Sequence, residues 1–391
     1  MKSLISPSTQ YDVNSVKSIV AILYLAIIGP SMFILQPAYV QGLVEYLNFS
    51  EKSSGFIASW EMIGVAIMAV AVNFALERFN WRVLTLFFVI LAVVGNALSI
   101  GVDNPVLLAT IRFVAGLGSG GIMVITFAMM GLTFRTERNM GFILVGVLTY
   151  GALGLFVLPN VFSNFGVDGL LIFLTVFCAS GMFFLSNLPD SHKVECLGVK
   201  KICFPWSIKS ITLLGVLIYN LGIGVVWVYM FLVGTSSGIA EQDVANQLTL
   251  SQFFGVGGAM ISVFFEAKLG RLIPLALGII TGSIGIIMIL DRPTLLMYGL
   301  GVCLFNFSWN MTMPYLLAFL ASFDSKGQLV AYGTALQMLG YAIGPAIAAV
   351  VVSGGRFDVA NIVAVTFFLV SAVLLMVSSY MQTKHHSVVM V

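Results

Sequence analysis

The chain has 391 residues, of which 59% are hydrophobic and only 9% charged. A soluble domain carries roughly 25% charged residues, so this composition excludes a soluble fold. The net charge of +2, spread over short connections, excludes a basic nucleic-acid-binding face.

The apolar residues come in continuous blocks of about 20, enough to span a hydrocarbon core about 30 Å thick. Membrane β-barrels need short alternating segments instead. Residues 1–17 are polar, and the first apolar run is span-length with no small-residue cleavage site after it. That run therefore reads as a first membrane helix rather than a removable leader. Successive runs cover 18–41, 54–76, 83–101, 105–128, 140–162 and 168–188. After a polar stretch come 210–233, 244–265, 272–290, 294–320, 329–353 and 359–381. The expected fold is all-α and polytopic, with twelve transmembrane helices.

Fourteen of the eighteen Lys and Arg lie at the amino terminus or in every second connection, among them Lys17, Arg78, Arg82, Arg135, Arg138, Lys209 and Lys384. The alternate connections hold Lys52, Arg292 and Arg356. This asymmetry predicts cytoplasmic termini in a cell membrane. Cys178, Cys196, Cys203 and Cys303 show no C-x-x-C spacing, so no disulfide, metal or cofactor is expected.

The longest connection divides the chain into an N-terminal half (1–189), a cytoplasmic linker (190–209) and a C-terminal half (210–391). The halves echo one another. E-R-F-N-W-R at 77–82 is followed 189 residues later by E-A-K-L-G-R at 266–271, and Gly154 of Y-G-A-L-G lies 190 residues before Gly344 of G-Y-A-I-G-P. A near-constant offset is the trace of a duplicated six-helix unit. Parallel repeats of this kind are one recurring plan of secondary transporters, with the site between halves near the midplane.

The second span is interrupted by one charge, Glu61 in A-S-W-E-M-I-G. Such a group costs about 2.5–3.5 kcal/mol at the bilayer centre on insertion scales. Ser54, Ala58, Glu61, Gly64, Met68, Ala71 and Ala75 form one helical stripe, mostly of small residues, which line surfaces where membrane helices approach closely. Glu61 is thus expected to face protein. Arg112 in the fourth span is a candidate partner at matching depth, each being seven residues in, about 10 Å at 1.5 Å per residue, a condition necessary for contact but not proof of it. Gln36 sits at similar depth in the first span. A fixed ion pair and a proton-carrying site both fit. His192, His385 and His386 lie in the linker or tail and, apart from Asp168 at the very edge of the sixth run, the spans contain no other Asp or Glu, so Glu61 is the acid through which intramembrane protons would act.

With span count and halving, two motifs carry a resemblance to the major facilitator superfamily. N-F-A-L-E-R-F-N-W-R at 73–82 resembles the family's G-x-L-A-D-R-x-G-R-R signature, keeping Glu77, Arg78 and Arg82 but departing at Asn73, Asn80 and Trp81. R-F-V-A-G, with Arg112 and Gly116, matches R-x-x-x-G in the fourth helix. The resemblance implies two pseudo-symmetric six-helix halves and a charged conformational latch from Glu77, Arg78 and Arg82, with Glu266 and Arg271 as its counterpart. It also implies proton coupling assisted by Arg112, and a cavity lined by helices 1, 4, 7 and 10. The first helix lacks the acid common in drug exporters, and G-P stands in the eleventh helix rather than the fifth.

Tyr24 and Gln36 in the first helix, Arg112 in the fourth, Tyr219, Asn220 and Trp227 in the seventh, Asn306, Trp309 and Asn310 in the tenth, and Gln337 and Tyr341 in the eleventh are the candidate cavity residues. Amides facing lipid would go unsatisfied. These groups suit a neutral amphiphile or a weak organic anion.

The leading expectation is a secondary transporter of a small organic solute, leaning to efflux and with proton coupling open. The alternatives are symport uptake of an organic anion, and a receptor or assembly subunit that keeps the fold without transport. Absence of a G-x-x-x-x-G-K-[ST] loop argues against an ATP-driven pump, and absence of H-E-x-x-H against a metalloenzyme. The implied partners are the solute, protons on the coupled reading, and the lipid bilayer, with a monomer as the working unit.

Overall fold

A computed structural model describes residues 13–76, 78–189, 204–265, 272–323, 328–352 and 354–389. The first crossing is built from α1 (Val16–Ile28) and α2 (Ser31–Glu45), where the sequence pattern suggested one uninterrupted helix. Pro30 has no N–H to offer the carbonyl a turn earlier, so the helix breaks at Gly29–Pro30. Then follow α3 (Glu51–Leu76), α4 (Trp81–Leu98) and α5 (Pro105–Gly131), the last started by Asn104, whose side chain accepts from the N–H groups of Val106 and Leu107.

The fifth and sixth spans form a single helical element, α6 (Thr136–Ser180), turned only at Gly166, whose φ of 61° and ψ of −163° suit a residue without Cβ. The expected loop at 163–167 is compressed to that residue. A 3₁₀ stretch, Gly181–Asn187, ends the sixth span. The second half consists of α7 (Trp206–Ser236), α8 (Glu241–Phe265), α9 (Leu272–Ile287), α10 (Leu295–Ala321), α11 (Gln328–Val351) and α12 (Asp358–Val389).

Among the described residues, eight helical stretches are long and apolar enough to cross a membrane, and one of them, Thr136–Asn187 with 52 residues, crosses twice about Gly166. With α8, α9 and α10 the described residues supply twelve crossings.

Packing repeats at an offset of six crossings. In the first half α5 packs on α3 and α4, and in the second α10 packs on α8 and α9. Across the halves, α3 lies along α11 as α6 lies along α8. One loop hydrogen bond recurs with the sequence offset of 190: Gly101 N donates to Asp168 Oδ1 at 2.9 Å, and Asp291 N donates to Asp358 Oδ1 at 3.1 Å.

Close approach of α3 and α5 depends on glycine. A Cβ on Gly116 would run into the carbonyl oxygen of Glu61, and one on Gly64 into that of Phe113. The start of the small-residue stripe, Ser54, Ala58, Glu61 and Gly64, is buried as expected, whereas Ala71 is exposed.

Two of the three departures from the family signature, Asn80 and Trp81, have structural roles. Asn80 caps α4 by accepting from Arg82 N and Val83 N, and the Trp81 indole donates to the Leu76 carbonyl at the foot of α3 (2.9 Å). Arg82 Nε donates to Leu188 O at 2.5 Å, fastening the third span to the end of the sixth, and Arg78 is exposed. The latch residues Glu77, Glu266 and Arg271 lie outside the described residues, as do Cys196 and Cys203.

Replacing Gly116 by Val should separate α3 from α5. The obstacle is backbone rather than a movable side chain, so a cost at or above the usual overpacking range of about 1–3 kcal/mol is expected. It should register as a lowered melting temperature in detergent, while Gly141→Val, which has open space around it, should melt like wild type.

Candidate functional site

Glu61 and Arg112 meet. Arg112 Nε donates to Glu61 Oε2 at 3.1 Å, and Nη2 donates to Oε1, making a two-pronged pair between α3 and α5. A guanidinium has five N–H donors and no acceptor, and Arg112 is almost fully buried, so its other edge needs partners too. Nη1 donates to Asn96 Oδ1 of α4 at 2.6 Å. This fixes the orientation of the Asn96 amide: its oxygen must face the arginine, and its nitrogen donates to Cys178 Sγ of the sixth span at 3.6 Å. The guanidinium carbon also lies 5.7 Å from the ring centroid of Tyr39 in α2. Five crossings thus converge on one cation. Asn96, Tyr39 and Cys178 were not among the sequence candidates, although Asn96 is the kind of lone amide in an apolar run that asks for a partner.

A cavity of about 300 Å³ lies between the halves. Glu61, Trp227, Asn306, Trp309, Asn310, Gln337 and Tyr341 line it. So does Gln252 of α8, which the sequence reading missed. Gln252 is almost fully buried and its Nε2 has no hydrogen-bond partner among the described residues. Gly151 makes room for it, since a Cβ there would sit 3.2 Å from Gln252 Oε1.

The aromatic wall is built from both halves. Phe33 stacks on Tyr341 (centroids 5.0 Å, 25° between planes) and meets Trp309 edge-on at 6.0 Å, while Trp227 and Trp309 meet at 5.6 Å. The Tyr341 hydroxyl accepts from Trp309 Nε1 at 3.1 Å and Gln337 Nε2 at 3.0 Å. Asn306 Nδ2 donates to Ser251 Oγ at 2.7 Å, and Asn310 Nδ2 donates to the Asn306 carbonyl. Trp227 Nε1 donates to the Phe33 carbonyl at 2.9 Å. That carbonyl lost its helical donor because Pro37 stands four residues on, and an indole from the opposite half replaces it.

Other sequence candidates sit elsewhere. Arg112 is behind Glu61, outside the cavity lining, because the carboxylate and Asn96 hold it inside the first half. Tyr24 donates to or accepts from Ser180 Oγ at 2.6 Å and packs on Phe184 and Phe177, again within the first half. Gln36 is buried and absent from the lining. Tyr219 stacks on Phe368 of α12. Asn220 shares a helical face with Trp227 but lies about 10 Å nearer the termini, where Gly340 of α11 packs against it.

The cavity is shut at the end of the bundle away from the termini. Gln41 Nε2 and Tyr46 OH both donate to Glu241, each at 3.2 Å. Thr235 Oγ1 donates to Gln41 Oε1 at 3.1 Å. Tyr229 OH donates to the Glu51 carbonyl and Ser59 Oγ to that of Ala342, both at 2.6 Å. All of these join the first half to the second.

The sequence matches the family model described as Major Facilitator Superfamily across residues 21–327. The chain belongs to the major facilitator superfamily. It is therefore an integral membrane protein of a transporter family. A Bacillus subtilis (strain 168) protein, provisionally named niacin/nicotinamide transporter NiaP, is 24% identical over 191 residues. Those residues are 47% of this chain and 46% of that protein, so the match spans about half the length of the relative. The crystal structure of a mutant of the nucleoside transporter NupG superposes with a TM-score of 0.71 at 11% identity, covering 93% of this chain and 99% of that one. A D-xylose-proton symporter superposes with a TM-score of 0.71 at 15% identity, covering 91% and 95%. At such identities the likeness shows the major facilitator fold and no more.

Breaking a buried pair from one side strands the other charge, at a cost of about 3–5 kcal/mol. Glu61→Gln and Arg112→Gln should each melt well below wild type. The double variant should lose less than the two single losses added together. Additive losses in a double-mutant cycle of thermal unfolding would mean the two groups act independently.

Proposed function

We propose that this chain is a secondary transporter of a small neutral solute with an aromatic ring and amphiphilic character. Transport proceeds by alternating access between halves 1–189 and 210–391, joined by the 190–209 linker. The observation that carries this reading is the cavity itself, which lies between the halves, is walled by aromatic rings and side-chain amides, and is sealed at one end by hydrogen bonds that cross from half to half. The termini are assigned to the cytoplasm of a cell membrane from the Lys and Arg bias, which makes the conformation inward-open.

A neutral solute is favoured over an anion because no Lys, Arg or His among the described residues lines the cavity and Arg112 is committed to Glu61 and Asn96. The cavity offers the Gln252 amide N–H and the flat faces of Trp309 and Tyr341, which suit a ring bearing a carbonyl. Nicotinamide, suggested by the name of the Bacillus relative, is the natural first probe. A proton-coupled reading keeps one support: Glu61 forms part of the cavity wall, where a solute could compete for its carboxylate.

Purified protein should melt higher with nicotinamide than with nicotinate, since binding to the folded state raises stability by mass action. Trp309→Ala should weaken nicotinamide by about fivefold in Kd, the loss of roughly 1 kcal/mol of ring contact. Preference for nicotinate would favour the organic-anion reading. Proteoliposome flux that keeps its pH dependence in Glu61→Gln would remove Glu61 from proton coupling. Failure of every neutral aromatic amide to bind, with a stable protein partner co-purifying, would favour the receptor or assembly reading.

A further inference from the structure

The contacts between the fifth span and α8 end part-way along. Near the closed end Gln242 Nε2 donates to the Phe156 carbonyl (3.2 Å) and Thr249 Oγ1 to that of Ala152 (3.1 Å). Further on, the seam still holds at Gly255, where a Cβ would lie 3.6 Å from Leu148. Past that level a groove of about 380 Å³ opens between the fifth span, α8 and α10. Two of its walls, Met140 and Leu144, are also walls of the central cavity.

Its other edge reaches the outer surface of the bundle. Val145 belongs to the exposed stripe Phe142, Val145, Leu153 and Phe156 of the fifth span. Met260 belongs to the exposed stripe Leu250, Phe253 and Met260 of α8. In a membrane-spanning bundle, apolar stripes of this kind face lipid. One continuous apolar surface therefore runs from the lipid-facing side of two helices to the aromatic wall of the cavity. Met140 and Met260 give it adaptable, unbranched linings, and Glu137 stands at its mouth.

We propose that this groove is a lateral portal through which an amphiphilic substrate passes between the cavity and the bilayer leaflet on the side of the termini. The proposal rests on the reading that the cavity takes an amphiphile. It extends that reading from an aqueous solute to one that partitions into membrane. Entry from lipid concentrates such a molecule at the portal, and its polar end stays at the headgroup level near Glu137 while the ring moves inward.

The test needs no transported substrate. In full-length protein with its four cysteines replaced by serine, Met313→Cys places a thiol in the cavity. Its alkylation is followed in lipid nanodiscs with dodecyl maleimide, confined to the bilayer, and with a charged, water-soluble thiosulfonate. Adding Val145→Trp with Met260→Trp, both on exposed faces that tolerate bulk, should abolish labelling by dodecyl maleimide and leave the thiosulfonate reaction unchanged. Ala318→Trp, on the α10 side of the groove, should do the same. Labelling by dodecyl maleimide that persists in both variants overturns the portal, as does equal loss of both reagents or failure of dodecyl maleimide to label the parent. Absence of nicotinamide flux would count against the proposed function and leave the labelling result standing.

Discussion

A guanidinium stays protonated wherever the chain puts it, so Arg112 within the fourth span must be met by acceptors from every side. Two of its nitrogens are taken by the Glu61 carboxylate and the third by Asn96, and the Tyr39 ring covers a face. Once that cation is placed, the positions of spans 1, 2, 3, 4 and 6 are constrained together. The glycines at 64 and 116 follow from the same requirement, because α3 and α5 must come close enough for so compact a pair to form.

The second half has no such ionic centre among the described residues of its spans. It is held by neutral groups: Thr212 with Ser378 at 2.5 Å, Ser371 with the Gly215 carbonyl at 2.7 Å, and Asn306 with Ser251. The asymmetry overlies a symmetric frame, as the matched loop bonds of Asp168 and Asp358 attest. A duplicated unit kept its turns and helix crossings. Its buried polar groups diverged, charged in one copy and amide-rich in the other, and the amide-rich copy supplies most of the polar cavity wall.

Much of this was legible in the residues. Composition and run length gave the fold class, and the 190-residue offset between Gly154 and Gly344 is the offset of the loop bonds. Depth counting set Glu61 and Arg112 at one level, which contact requires but which does not by itself establish it. Legibility failed where function depends on backbone atoms or on which helix lies behind a face. The Phe33 carbonyl is invisible in an inventory of side chains, although Pro37 announces that some carbonyl near it is unpaired. Asn220 and Trp227 project from one face of α7 and cannot be told apart by periodicity; only the level at which Gly340 closes on the helix separates them. Gly166 was read as part of a loop because a one-residue reversal between two spans leaves no longer polar signal.

The location of the ion pair bears on how energy could be coupled to transport. Glu61 and Arg112 both belong to the first half, so a rigid rocking of one half against the other leaves their mutual geometry unchanged. What rocking alters is the environment of the carboxylate on its cavity side, where Met62 and Val65 flank it and the aromatic wall of the second half stands opposite. Proton uptake at Glu61 would then require water or solute to compete with a two-pronged guanidinium, and it would leave Arg112 with an uncompensated charge inside the bundle. The bonds that rocking must break are of another kind: the Trp227 indole on the Phe33 carbonyl, and Gln41 and Tyr46 on Glu241. Each is a single hydrogen bond worth about 0.5–1.5 kcal/mol net, somewhat more to the carboxylate. The closed end is thus held by several weak, separable contacts and the first half by one strong, inseparable one, which is the division expected if the half moves as a body and the seam is what opens.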